Sequence, residues 1–157
     1  MRVFYALFIV LLVILSSAQA QTTLAQRKAV FNIDKYGVAI QGYDPVSYFS
    51  GTAQKGNPNI FYFFKGIRYE FISEQHKAQF MAHPENYEPQ YGGWCAYAMG
   101  ATGEKVEIDP TKFKILDGKL YLFYYSVINN TLNKWNQQEG TLKPKADQNW
   151  KKLNQAK

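Results

Sequence analysis

The apolar positions of this chain follow three different rhythms. The first is no rhythm: Val3 to Leu15 is an unbroken apolar run behind a single cation, Arg2. It leads into Ser16-Ser17-Ala18-Gln19-Ala20, small residues in the A-x-A form that a signal peptidase accepts. Thirteen helical residues at about 1.5 Å each reach roughly 20 Å, short of a hydrocarbon core of about 30 Å. The pattern therefore predicts a signal peptide over 1–20, cleaved after Ala20, with no stable membrane anchor left behind. No Cys follows the run, so a lipid anchor on the new N-terminus is not available. Residues 21–35 are polar with no clear period and read as a leader segment or a short helix ahead of a domain over 36–153.

The second rhythm has period two. Ile60-Phe61-Tyr62-Phe63-Phe64 and Ile67-Arg68-Tyr69-Glu70-Phe71 flank Lys65-Gly66, the pattern of a β-hairpin. In its second strand Ile67, Tyr69 and Phe71 share one face and Arg68 and Glu70 the other, which predicts one buried side. Lys112–Leu116 and Lys119–Tyr125 form a second hairpin about Asp117-Gly118, a strong turn signal. The third rhythm is helical and comes in short pieces. Asp44 followed by Pro45 reads as an N-cap with Pro at the first helical position, and Gly51 ends that helix. Gly51–Asn59 is a turn-rich loop. Ser73 caps a helix that must finish by His83, because Pro84 disfavours helical geometry in the residue before it. Tyr91–Ala101 predicts a Gly92-Gly93 turn and a short helix carrying Trp94, Cys95, Tyr97 and Met99. Asn129–Gln138 and Ala146–Leu153 predict two more helices, pinned by Trp135 and Trp150. The fold class expected is α+β: one small domain of two antiparallel β-hairpins interleaved with short helices.

Composition sharpens this picture in two places. Removing 20 of the 157 residues leaves 137, enough for one domain with a proper core. Aromatic residues are 17% of the chain, so planar side chains must fill much of that core. The formal charge of +6, or +5 once Arg2 leaves, is spread along the chain apart from lysines near the C-terminus, and predicts a solvated surface. An exported chain excludes nucleic acid as the expected partner. Cys95 is the single cysteine, which excludes an intramolecular disulfide and any Cys-x-x-Cys redox motif. Its neighbours Trp94, Ala96, Tyr97 and Ala98 predict a buried thiol.

Several segments occur in a telling order. Gly42-Tyr43-Asp44-Pro45-Val46-Ser47-Tyr48-Phe49, the aromatic hairpin, the capped helix, Pro84-Glu85-Asn86-Tyr87 and Tyr91-Gly92-Gly93-Trp94-Cys95-Ala96-Tyr97 together resemble the YHS-domain proteins, over about Tyr36 to Leu153. In the metal-binding branch of that family cysteines follow the Asp-Pro-Val and leave the first hairpin, holding a metal through thiolates. Here Ser47, Ile72 and His76 occupy those positions, and the chain looks closer to the exported branch. The resemblance implies an exported YHS-type fold, periplasmic or extracellular, and names no reaction.

The chemistry-bearing residues support three readings. The leading one is a binding module for a small molecule or a protein partner, with an aromatic-rich pocket around Tyr43, Asp44, Tyr91, Trp94 and Tyr97. A second is a soft-metal (copper) or haem site built from Cys95, Met99 and His76: Cys95 and Met99 share a face if their segment is helical, and thiolate plus thioether suits Cu(I) or haem iron. His76 and His83 lie seven apart, about 10.5 Å along a helix, too far to chelate one ion. The third is a thiol-dependent enzyme using Cys95 with His76 as base, for which no nucleophile motif or third orienting group is evident. The more direct expectation is processing. Intact-mass measurement on protein from an exporting host is expected to show a chain beginning at Gln21, and a retained Val3–Leu15 segment in the membrane fraction would refute it.

Overall fold

A computed structural model describes residues 24–155, so the expected signal peptide lies outside the described residues. The chain runs as helix α1 (residues 24–30), strands β1 (Asn57–Phe64) and β2 (Ile67–Phe71), helices α2 (Glu74–Ala82), α3 (Pro84–Tyr87) and α4 (Ala96–Ala101), strands β3 (Asp109–Leu116), β4 (Lys119–Phe123), β5 (Tyr125–Ser126) and β6 (Asn129–Asn130), and helix α5 (Thr131–Gln155). The class is α+β, with each hairpin a separate two-stranded sheet.

Both expected hairpins form about the expected turns. Lys65 and Gly66 have φ of 46° and 81°, and Asp117 and Gly118 of 50° and 67°. Two consecutive positive φ values give the turn twist that matches right-handed strands. Both first strands start earlier than expected, at Asn57 and Asp109, because each pairing crosses an irregularity, between Asn57 and Phe61 and between Asp109 and Phe113. A third hairpin, Tyr125–Ser126 with Asn129–Asn130, takes residues expected to be the end of a strand and the start of a helix.

The helices differ more. Asp44 opens a 3₁₀ turn, Ser47–Ser50, rather than an α-helix, ended by Gly51 at φ 86°. Helix α2 has the expected cap, with Ser73 Oγ accepting from the His76 amide at 3.1 Å, and ends at Ala82. Cys95 is not helical, at ψ 116°, so α4 begins one residue after it. The two C-terminal helices are one element with a break at Gln138 and Pro144 inside it, and Asn130 caps it through Oδ1 to the Asn133 amide at 3.2 Å. The segment expected as a leader is packed where it is described. Phe31 is buried with its ring 5.6 Å from Trp150, and Arg27 bonds Glu88, which also accepts from the Tyr69 hydroxyl. Burial pushes the Glu88 carboxyl up, against the opposing pull of Tyr69 and Arg27.

Two apolar clusters make the core. In the first, the fully buried Phe80 of α2 meets Tyr69 at 4.8 Å and Phe71 at 5.3 Å, with Leu120 and Leu122 in the same cluster. In the second, Trp135 of α5 packs on Tyr121 at 5.8 Å and Phe123 at 5.7 Å, with Met99 and Leu142. Helices α4 and α5 touch through Gly100, where an added Cβ would stand 2.6 Å from the Leu142 carbonyl oxygen. Helix propensity favours Ala over Gly by about 1 kcal/mol, whereas overpacking costs about 1–3 kcal/mol. Because the obstructing atom is backbone, Gly100→Ala is expected to lower stability in urea unfolding. A stabilised variant would show that the two helices do not meet there.

Candidate functional site

The outer face of the first hairpin borders a cleft. Strand β2 buries Ile67, Tyr69 and Phe71 completely, so its alternate residues Arg68 and Glu70 face away from the core. The segment before the hairpin docks along the free edge of β2. Asp34 Oδ1 accepts from the amides of Tyr36 and Val38 at 2.8 and 2.9 Å, forming a tight turn, and the Ala39 amide then donates to the Arg68 carbonyl at 2.9 Å. Three consecutive residues follow in left-handed conformation: Ile40, Gln41 and Gly42, with φ of 53°, 52° and 76°. For a β-branched residue such as Ile40 this is strained, by about 1–3 kcal/mol. The surroundings hold it: Ile40 is buried, the Tyr43 amide donates to its carbonyl at 3.0 Å, and Gln41 Nε2 reaches the Ile108 carbonyl at 3.1 Å.

Between this curled segment and the hairpin lies a cleft of about 400 Å³ walled by Asp34, Tyr36, Gln41, Lys55, Arg68 and Glu70. A smaller hollow of about 140 Å³ beside Asn32 and Glu107 shares Asp34, Val38 and Gln41 with it. Arg68 is fixed from three sides. Its Nη2 meets Glu70 Oε1 at 3.0 Å and the Pro58 carbonyl at 2.6 Å, and its guanidinium lies 4.3 Å from the Phe61 ring centroid. Lys55 Nζ bonds the Gln41 carbonyl.

The residues expected to form a site are dispersed. Asp44 is fully buried and accepts three bonds, from the Val46 amide at 2.8 Å, the Ile72 amide at 2.9 Å and His76 Nδ1 at 2.7 Å. It thereby ties the 3₁₀ turn, the end of β2 and α2 together, and it leaves His76 Nδ1 occupied. Tyr43 sits next to the cleft, its ring 5.3 Å from Lys55 Nζ. Tyr91 is buried and donates to Asp147 Oδ1 at 2.9 Å; burial raises its hydroxyl pKa, and Asp147 adds to the shift. Trp94 Nε1 donates to the Val30 carbonyl at 2.6 Å, and Tyr97 is half-buried with Lys134 Nζ 5.8 Å from its ring. The space beside Gly92 is filled: a Cβ there would stand 2.6 Å from the Trp150 ring and 3.1 Å from Phe31.

Cys95 is fully buried, its Sγ 3.5 Å from Thr131 Oγ1 and accepting from the Tyr124 amide at 3.3 Å. It belongs to the first apolar cluster and Met99 to the second. Among the described residues no hydrogen bond joins His76 to Cys95, and no group of three or more His, Cys, Asp or Glu could hold a metal. Sequence reasoning missed Gln41, Lys55, Arg68 and Glu70 as one site. The signal was present in Arg68 and Glu70, two charges on the face of β2 opposite its apolar one.

Compared with known proteins, the chain matches no family model, no curated protein and no solved structure. The geometry around Asp44 is testable without a function. In Asp44→Asn an amide NH₂ must replace one acceptor and face a donor, leaving buried groups unpaired at about 1–3 kcal/mol each. Unfolding in urea is expected to show Asp44→Asn losing more stability than His76→Ala, because His76 is partly exposed and its removal leaves both amide bonds intact. The reverse order would contradict the three-donor arrangement.

Proposed function

We propose that the chain is an exported binding module of the YHS type that holds a small ligand in the cleft between the Asp34–Gly42 segment and the outer face of β1 and β2. One observation carries this reading. The wall of the cleft is a run of three left-handed residues that includes a buried isoleucine, and strain of that kind persists where surrounding structure fixes it, at ligand clamps and active sites above all. The volume lies in the range of small-molecule sites, about 300–1,000 Å³. Tyr36, 72% exposed at the rim, adds a flat apolar surface. Export rests on the Val3–Leu15 run with Ala18 and Ala20, and among the described residues no helix is long and apolar enough to cross a membrane.

A protein partner is the second reading, favoured by Val127 and Ile128. They are 93% and 94% exposed between β5 and β6, where contact with another protein would remove the most apolar surface from water. The copper or haem reading through Cys95, Met99 and His76, and the thiol-enzyme reading through Cys95 and His76, draw no support from the hydrogen-bond partners of these residues.

The test is amide-shift mapping by NMR on isotopically labelled protein with a set of small polar and aromatic fragments. Saturable shifts are expected to cluster at residues 34–42, 55 and 68–70. Shifts clustered instead around Trp94 and Tyr97, or on Val127 and Ile128 alone, would overturn the cleft as the binding site.

A further inference from the structure

Strand β1 leaves one edge of its ribbon open. The sheet holds only β1 and β2, and the segment at Val38 and Ala39 docks on the far side of β2. Among the described residues no strand or isolated bridge pairs with the outer edge of β1. The ladder shows which groups face that edge. Lys65 and Gly66, both at positive φ, make the two-residue turn, so Phe64 and Ile67 exchange both of their ladder bonds, and Tyr62 and Tyr69 do the same two residues on. Phe61 and Phe63 lie opposite Glu70 and Arg68 in the intervening pairs, and their N–H and C=O groups therefore point away from β2.

Natural edge strands are blunted by proline, charge, bulges or a covering element. Pro58 and the irregularity between Asn57 and Phe61 blunt the first half of β1. Beyond them Phe61-Tyr62-Phe63-Phe64 runs in unbroken register and carries no charge and no proline. Phe61 and Phe63 are 37% and 53% exposed, and their rings pack edge to face at 5.7 Å on the outer face of the ribbon. Open backbone groups and exposed apolar surface thus coincide on the same two residues.

We propose that this edge pairs with the same edge of a second copy of the chain, antiparallel, with the two-fold axis between the two Tyr62 residues. Phe61 then lies opposite Phe63 of the second copy, and Phe63 opposite its Phe61, in the pairs that exchange both N–H···O=C bonds. All the outward groups of the two residues find partners. Aromatic side chains meet across the junction on the outer face, a favourable cross-strand pairing. A second copy fits because Ile60-Phe61-Tyr62-Phe63-Phe64 has no ionised side chain, so laying it against itself brings no like charges together. The product is one four-stranded sheet in the order β2-β1-β1-β2, and sheets of three or more strands with an apolar face are more stable than lone ribbons. The cleft lies along the other edge of β2 and stays open.

Sedimentation equilibrium from micromolar to millimolar concentration, with amide hydrogen exchange on the same samples, tests this. The protein is expected to dimerise, and exchange at the Phe61 and Phe63 amides to slow in the dimer, while the Tyr62 and Phe64 amides, already bonded to β2, change little. Phe61→Lys with Phe63→Lys puts lysine opposite lysine across the axis and is expected to weaken association at least tenfold. Phe61→Lys with Phe63→Glu sets each lysine opposite a glutamate of the second copy and is expected to restore it. Because a lysine at 63 also faces Arg68 within its own hairpin and could loosen it, the alternating exchange pattern of the unaltered protein decides independently. A monomer at every concentration, a dimer in which the Phe61 and Phe63 amides stay open, or a dimer that the two lysines leave intact would overturn the proposal, the last two pointing instead to another surface such as Val127 and Ile128.

Discussion

Strand β4 is buried on both faces although it belongs to a ribbon of only two strands, and most of the architecture follows from that. Leu120 and Leu122 enter one apolar cluster while Tyr121 and Phe123 enter the other, all at 3% exposure or less. A strand inside a wide sheet gains such burial from layers above and below it. Here the cover has to come from elements far apart in sequence. The first hairpin and α2 close one side with Phe80 at the centre, and α4 and α5 close the other with Trp135. The parallel bridge from Pro89 to Leu120 and the Tyr124 amide bond to Cys95 fix β4 to the segment running between those two covers. Cys95, one residue ahead of α4, ends in the first cluster, whereas Ala96 and Met99 of α4 lie in the second.

Two buried acids show how differently the fold treats a carboxylate. Asp44 receives three donors from three elements, so its charge is fully satisfied and it serves as a junction. Glu70 instead forms an ion pair with Arg68 through one oxygen, and its other oxygen stands at the Gly42 wall of the cleft beside Lys55. The same chemistry is structural at one position and available at the other. The Glu70 carboxylate lies where the backbone is also strained, at Ile40–Gly42. A cluster of local exceptions in an otherwise well-satisfied region is where sequence-to-structure consistency is expected to give way to function.

Much of the fold was legible in the chain. Lys65-Gly66 and Asp117-Gly118 announce their turns because few residues tolerate two positive φ values in succession, and Ser73 with Pro84 brackets α2 by capping and by sterics. The run Leu120–Phe123 has no polar member, which is what burial on both faces requires. Other features have no local signature. Nothing in Ile40-Gln41 marks a left-handed pair, since isoleucine disfavours that geometry and only the docked edge of β2 imposes it. The continuity of α5 through Pro144 is likewise set by packing against α4. The residues of the expected aromatic pocket are engaged for a tertiary reason: Trp150 and Phe31 occupy the space beside Gly92, and Tyr91 and Trp94 find partners in Asp147 and Val30.

The cleft inherits its charge from the simplest pattern in the sequence. Because Ile67, Tyr69 and Phe71 are each completely excluded from water, the register of β2 cannot slip by one residue without exposing all three and burying Arg68 and Glu70 in their place. The orientation of the two charges is thus enforced by the core behind them rather than by contacts within the cleft. Arg68 also holds the Asp34–Gly42 segment through its own backbone, accepting from Ala39 and donating to Gly37. One residue therefore positions the strained wall with its main chain and the Glu70 carboxylate with its side chain, and the apolar face of β2 fixes both at once.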